Sequence, residues 1–443
     1  MKALVTPLLL LMLPRLLMCQ QNTITLKDAL ERAWRYANQI QSADIVTQLA
    51  REDRKQAVAA SLPSLNAFNQ FIYTQGNGTA SGVFIANDGV HVYNEQAVVH
   101  EELFALVRRG EIRVARAAEA VTRAKADVVK RGLNLTVTQN YYTIATAERK
   151  LKAATISRTE AADFLDTTQK QEKGGEAAHA DVIKAMLQAK QRGRDLEDAQ
   201  LGLDKAKVAL AVLIFPTLQE NFEIVDDLSE LPPLGTSSEA SLRAKRDNAD
   251  LLAAKATQVE AKETVNVARY AYLPSLGLDF FYGIDANQLA ARTGYPTPES
   301  GRSTLPDYLV PSRKNLGYAA QATLNIPIWN WGATYSKVKQ ASLRAKQSEL
   351  DLNVTERQLD GSVATAYAEA QNALSQVDSL RESSDLAGES LRLTLLRYKA
   401  GEATTLEVVD AQTTTTQSRN AYVDGLLRYR VAFAALQQLT GNF

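Results

Sequence analysis

Leu273-Pro274-Ser275-Leu276-Gly277-Leu278-Asp279-Phe280-Phe281-Tyr282-Gly283-Ile284 has the pattern of a β-strand entered through a proline. Leu276, Leu278, Phe280, Tyr282 and Ile284 alternate with Gly277, Asp279, Phe281 and Gly283. A period of two puts the first set on one face of a strand and the second on the other. Tyr318, Ala320, Ala322, Leu324, Ile326 and Ile328 alternate in the same way with Ala319, Gln321, Thr323, Asn325 and Pro327. The opening tetrapeptide has already appeared once, as Leu62-Pro63-Ser64-Leu65, 211 positions earlier (273 − 62). There too it follows a helical pattern and precedes strand-like segments, at about 65–75 and 90–99. Each segment has the length of a tilted strand that crosses a membrane.

Outward from this point the duplication continues. Val137, Tyr141, Gly175, Glu176, Ala177, Val182, Ala185, Leu210 and Leu213 recur as Val363, Tyr367, Gly401, Glu402, Ala403, Val408, Ala411, Leu436 and Leu439, always 226 positions on (363 − 137). A constant offset over so long a stretch demands equal helix lengths. The 15 extra residues fall between the two anchors, in the Pro-, Gly- and Ser-rich segment Asp285–Lys314, whose shorter counterpart is Gly76–Gly89. The expected division is a first repeat over 23–230, a linker Leu231-Pro232-Pro233-Leu234-Gly235, and a second repeat over 236–441. Each repeat reads as short helix, two strands, very long helix, Gly turn and long helix, and the two together form one domain.

The helices are too long for a globule. From Glu101 to Lys173 there is no proline, and glycine occurs only at Gly110 and Gly132. A helix over Glu111–Glu172 would run on the order of 90 Å. A second, Ala178–Phe215, returns beside it and ends at Pro216; Ala333–Lys399 and Thr404–Leu439 repeat the arrangement. Such helices need other long helices as neighbours. Taken alone they fit a coiled-coil rod or scaffold as well as the wall of a tunnel. Gly174-Gly175 and Gly401 mark turns that leave a helix through the left-handed conformation, and Thr404 with Glu407 forms a capping box.

Composition removes other classes. The 443 residues carry 50 basic and 50 acidic side chains, so no surplus positive charge favours nucleic acid. Cys19 is the sole cysteine, which rules out an internal disulfide. Residues 1–19 resemble a signal peptide. Leu16-Leu17-Met18-Cys19 partly resembles a lipoprotein box, which would lipidate Cys19; the other reading is a cysteine lost with the leader. His91, His100 and His179 stand apart from any carboxylate or cysteine cluster at metal spacing. No nucleotide-binding or nucleophile motif occurs, so neither an enzyme nor a cofactor is expected.

Four strands cannot close a barrel, and open edges are not tolerated in lipid. If these strands span a membrane, several copies must share one barrel.

At this point the residues resemble the TolC-like family of outer-membrane efflux proteins over roughly 23–441. The likeness rests on Thr25-Leu26-Lys27-Asp28-Ala29-Leu30, both LPSL copies, Ile326-Pro327-Ile328-Trp329-Asn330-Trp331-Gly332, the turn Tyr398-Lys399-Ala400-Gly401-Glu402-Ala403-Thr404-Thr405-Leu406-Glu407-Val408-Val409-Asp410-Ala411, and Leu436–Gly441. The resemblance implies a mainly α chain with a membrane β-barrel portion: a long α-helical barrel, and four strands per protomer in a trimeric, 12-stranded barrel. It implies a passive channel in the outer membrane, in contact with its lipid and with the helical tunnel in the periplasm. Such a channel serves a tripartite efflux or type I secretion system that exports small molecules, metal ions or proteins. Its partners would be identical copies in a homotrimer, a periplasmic adaptor and an inner-membrane transporter. Carried over residue by residue, Glu407 and Asp410 would form an acidic ring at the periplasmic entrance, with carboxyl pKa values raised by mutual repulsion. Asp181 and Tyr398 would latch that entrance, with Ala403 standing where the family has an assisting arginine. The Gly174, Gly175 and Gly401 turns would meet the adaptor.

Overall fold

A computed structural model describes residues 23–73, 91–287 and 316–442. The leader with Cys19, the segment Gly76–Gly89 and most of Asp285–Lys314 lie outside the described residues. Along the first sequence half run β1 (Thr23–Ile24), α1 (Leu26–Tyr36), α2 (Asn38–Ala59), β2 (Ser64–Tyr73), β3 (His91–Phe104), α3 (Leu106–Gly174), α4 (His179–Ile214) and β4 (Glu223–Ile224). Along the second run α5 (Ser237–Asp247), α6 (Ala249–Tyr270), β5 (Ser275–Asn287), β6 (Leu316–Asn325), α7 (Ala333–Lys399) and α8 (Thr405–Thr440).

Helix lengths repeat closely. α1, α2 and α4 have 11, 22 and 36 residues; α5, α6 and α8 have 11, 22 and 36. α3 and α7 have 69 and 67. The starts are set by matching caps. Thr25 and Asp28 form a reciprocal capping box on α1, and Thr236 and Glu239, 211 positions on, form the same box on α5. The carboxyl of Asp28 is held below its ordinary range, first by the hydroxyl and then by the backbone N–H of Thr25. Pro216, just beyond α4, cannot continue the helix.

The chain folds as two compact units, and both sequence halves contribute to each. One unit holds the chain up to Gln41, Val129–Asn248 and the part from Asp360 onward; the other holds Ser42–Val128 and Ala249–Leu359. In the first unit, Ile24, Leu133, Val137, Tyr141, Tyr142, Leu210, Ile214, Leu228, Leu426 and Tyr429 form a closed core. Tyrosine hydroxyls fasten the irregular segments to it. Tyr141 donates to the carbonyls of Val225 (2.7 Å) and Ile24 (3.2 Å), where β1 and β4 make a short parallel pair. Tyr367 donates to Gly235 at 3.0 Å and Tyr429 donates to Pro232, so both ends of the prolyl linker are held. Burial raises the hydroxyl pKa of Tyr141, keeping it a donor.

The second unit carries a four-stranded antiparallel sheet in the order β2-β3-β5-β6. Its register aligns Leu65, Val99, Phe280 and Ala320 in one row, and Ser64, His100, Asp279 and Gln321 in the next. Rows of the first kind are mainly apolar, interrupted by Asn69, Glu95 and Glu101. Rows of the second kind are mixed: they carry Asn66, Gln70, Asn94, Gln96, Thr323 and Asn325, and also Phe68, Val98 and Phe281. β6 ends at Asn325, three residues short of the alternation read in the sequence, because β5 begins at Ser275 opposite Asn325 and offers no partner beyond it. A bulge interrupts β3 between Glu102 and Phe104.

Where β5 crosses β3, the backbones leave no room for a side chain at Gly283. A Cβ there would stand 2.1 Å from the Glu95 carbonyl oxygen, whereas at Gly317, its neighbour on β6, nothing lies within 4 Å. Gly283→Ala should therefore destabilise the sheet by about 1–3 kcal/mol, while Gly317→Ala should not. Heat-modifiable migration on gels, read against temperature, checks the pair; equal behaviour of the two variants would refute the close-approach account.

Candidate functional site: the paired helical turns and the open sheet

Two features can carry function: the turns that end the long helices, and the sheet. The turn after α3 and the turn after α7 are conformational copies. Gly175 (φ 79°) donates to the Glu172 carbonyl at 3.0 Å, and Glu176 donates to Gln171 at 2.8 Å. At an offset of 226, Gly401 (φ 77°) donates to Tyr398 at 3.0 Å and Glu402 donates to Arg397 at 2.9 Å. Glycine is needed at both because an L side chain resists positive φ. Gly174, which ends α3, contributes no such turn conformation.

The side chains have diverged on this shared backbone. α4 starts at Ala178 with no side-chain cap. α8 starts with the full Thr404–Glu407 capping box. His179 contacts the Glu172 carboxylate at 2.6 Å; the matching positions are Thr405 and Tyr398, whose hydroxyls lie 3.5 Å apart. Tyr398 is buried among Phe164, Ala185 and Val408, its ring 5.0 Å from that of Phe164. Its hydroxyl donates to Thr168 on α3 at 3.1 Å.

The structure therefore does not bring Asp181 to Tyr398 within one chain. Tyr398 lies on the face of α7 that packs on α3, and its hydroxyl is taken up there. Asp181 instead pairs with Lys184 at 3.5 Å, three residues along its own helix. Glu407 and Asp410 both lie exposed in the first turns of α8. Arg397, a residue the sequence reading passed over, reaches across the turn. It donates to Glu407 at 3.3 Å and to the Glu402 carbonyl at 2.9 Å. An arginine is thus present at this tip despite Ala403, from the outgoing helix rather than the incoming one. Its signal in the sequence was its place beside Tyr398, ten residues before the cap glutamate. Within the chain the Glu407 carboxyl is pulled below its ordinary range, opposite to the rise expected of a ring; the backbone and side chain of Thr404 lead, and Arg397 adds to them.

Among the described strands, β2 and β6 form the two edges of the sheet. Every described side-chain position on β2 is exposed, and so is every residue of β6. The sequence reading left His100 isolated; the fold places it 2.6 Å from Asp279 on the neighbouring strand. Among the described residues no group of three or more His, Cys, Asp or Glu could hold a metal ion, and no helix is long and apolar enough to cross a membrane. α7 presents Leu343, Leu350 and Val354, and further on Leu386 and Leu393, all exposed at helical spacing.

Exposed alternating strands, together with helices of this length, match the strand-and-helix pattern read from the sequence. Comparison with known proteins agrees. The family model described as outer membrane efflux protein matches residues 241–442. Outer membrane protein TolC of Vibrio cholerae is 24% identical over 334 residues, covering 70% of this chain and 69% of that protein. The pyoverdine export outer membrane protein OpmQ of Pseudomonas putida is 24% identical over 332 residues, covering 72% and 64%. The chain thus spans about two thirds of the length of each. The crystal structure of the outer membrane protein VceC from Vibrio cholerae has the same fold, with a TM-score of 0.77 at 18% identity over 94% of this chain and 96% of that one. Over residues 241–442 the chain is similar to the outer membrane efflux family, and its fold is that of solved outer-membrane channels.

The lowered Glu407 carboxyl fixes the sign of a pH effect. Its cap on α8 is complete above the ordinary glutamate range and is lost as pH falls through the lowered value. Amide-exchange protection in the first turn of α8 should exceed that of Glu407→Ala at neutral pH, and the two should converge in acid. A difference that persisted below the carboxylate range would contradict the capping role.

Proposed function

We propose that three copies of this chain form a passive outer-membrane channel that continues into a periplasmic helical tunnel. The channel serves a tripartite efflux or type I secretion system. The observation that carries this reading is the pair of open edges on a sheet whose outer strands are exposed. Backbone N–H and C=O groups left unpaired in lipid cost several kcal/mol each, of the order of hydrogen-bond loss in an apolar medium. Closure by identical copies removes them all. The exposed leucine stripe of α7 supports the same conclusion, since it offers a neighbour an apolar face. In this reading the repeats 23–230 and 236–441, with linker 231–235, work as one domain. The mainly apolar rows of the sheet face lipid and the more polar rows line the lumen.

The channel does no chemistry, and the driving force belongs to an inner-membrane transporter. The Gly174-Gly175 and Gly401 turns form the tips that meet a periplasmic adaptor. Glu407 and Asp410, three apart on one helical face, form an acidic ring of six carboxylates in the trimer and favour cations at the entrance. The latch assigned from resemblance to Asp181 and Tyr398 is better placed on Tyr398, Thr168 and Thr405, with Arg397 bridging the turn to Glu407. A coiled-coil scaffold without a barrel, the second reading, leaves the four paired strands without a purpose.

Reconstitution of detergent-purified protein into planar bilayers tests the channel. Wild type should give discrete conductance steps of low amplitude. Tyr398→Phe combined with Arg397→Ala should raise the step amplitude severalfold by releasing the tip, an effect of losing two contacts of about 1 kcal/mol each. Glu407→Gln with Asp410→Asn should lower cation over anion selectivity. A monomeric, detergent-independent protein that passes no ions would overturn the proposal.

A further inference from the structure

We infer that Ile326–Trp329 is a latent extension of β6 that becomes a strand only at the seam between two copies, and that the register of this seam is already written inside one chain. The inference rests on the shared-barrel reading and adds to it a specific pairing.

The argument uses the duplication of the sheet. Residues of β2 correspond to residues of β5 211 positions on, as Ser64 to Ser275 shows. Residues of β3 correspond to residues of β6 225 positions on: Gln70 pairs with Asn94, and its counterpart Phe281 pairs with Ala319 (94 + 225). In a closed barrel of repeated hairpins, the contact of β6 with β2 of the next copy is the counterpart of the contact between β3 and β5. That contact is visible. Ala97 pairs with Tyr282 and Val98 with Phe281. Translated by the two offsets, Ala322 pairs with Phe71 (282 − 211) and Thr323 with Gln70 (281 − 211) of the neighbouring copy. Both strand direction and face agree. β6 meets β2 antiparallel, and Ala322 and Phe71 both belong to the mainly apolar rows.

The same translation explains a difference between the halves. β3 runs on from His100 to Phe104, past the last residue that β2 can pair, because β5 holds it from the other side. The counterpart of Glu101–Phe104 is Ile326–Trp329, which has no strand conformation in the single chain. Its β5 side ends at Asn325, and its other side faces the missing copy. In the seam register Ile326 falls opposite Ala67 of the neighbouring copy, and Trp329, the counterpart of Phe104 beyond the β3 bulge, falls opposite Leu65. Ile326, Ile328 and Trp329 are 56%, 87% and 75% exposed in the isolated chain, although large apolar groups so bare invite a partner. Leu65, on the edge they would meet, is 72% exposed. Trp331 and Gly332, with φ of 54° and 83°, then turn the chain into α7, so the segment is bounded on both sides.

Cysteine pairs across the seam test the register. Ala322→Cys with Phe71→Cys, and separately Thr323→Cys with Gln70→Cys, place one pair at a hydrogen-bonded and one at a non-hydrogen-bonded position, so at least one has bridging geometry. Single-cysteine variants control for Cys19. Oxidation in outer membranes should convert at least one matched pair to covalent trimer. It should exceed by about tenfold the yield from pairs shifted by two residues, Ala322→Cys with Asn69→Cys and Thr323→Cys with Phe68→Cys, whose Cβ atoms lie beyond disulfide reach. Ile326→Cys with Ala67→Cys should also cross-link if the extension forms. Cross-linking only in the shifted pairs, or in none, with a heat-modifiable trimer still present, overturns the register and leaves the shared barrel standing. Loss of Ile326–Ala67 cross-linking alone overturns the extension. A wild-type protein that forms no oligomer overturns the reading on which both depend.

Discussion

Backbone groups at the edge of a sheet must be paired before that sheet can enter hydrocarbon. Much of this structure follows from that requirement. Among the described residues this sheet has four strands, with β2 and β6 at its edges. Neither face of the sheet is covered as a soluble sheet's would be. Its mainly apolar rows suit lipid and its more polar rows suit water, so the sheet has solvents for both faces but no partner for its edges. In the proposed assembly identical neighbours would supply that partner and would cover the leucines left bare along α7.

The second constraint is equality of the two halves. Helices of 11, 22 and 36 residues recur without change, as a duplicated sequence without insertions in its helices requires. At the tips this equality preserves the backbone while freeing the side chains. Both turns keep the same glycine conformation and the same two backbone hydrogen bonds. One tip starts its returning helix with no side-chain cap and a His179–Glu172 contact; the other has a capped helix, a buried tyrosine and an arginine bridge. A backbone held in register can carry two chemistries, and an assembly of three chains would present them alternately.

Periodicity and length made most of the architecture legible from residues alone. The alternation at Leu276–Ile284, the proline-free run before Gly174 and the glycines at 175 and 401 are local signals, and local geometry answers to them. Errors arose where partners decide. The alternation through Ile328 was real, yet β6 ends at Asn325 because hydrogen bonds, not alternation, make a strand. The link from Asp181 to Tyr398 is a contact that the family resemblance implies; within one chain the Tyr398 hydroxyl donates to Thr168. Arg397 went unread because its place beside Tyr398 does not by itself show that its side chain bridges the turn to Glu407.

The helices, the turns and the duplication were legible along one chain, since each of these follows from residue type and spacing. Only the tertiary structure decided which strands adjoin, in what register, and which polar groups meet: His100 with Asp279, Arg397 with Glu407, Tyr398 with Thr168. Those pairings join residues distant in the chain, and their free energies depend on burial and on hydrogen-bond geometry, which exist only after the elements have packed.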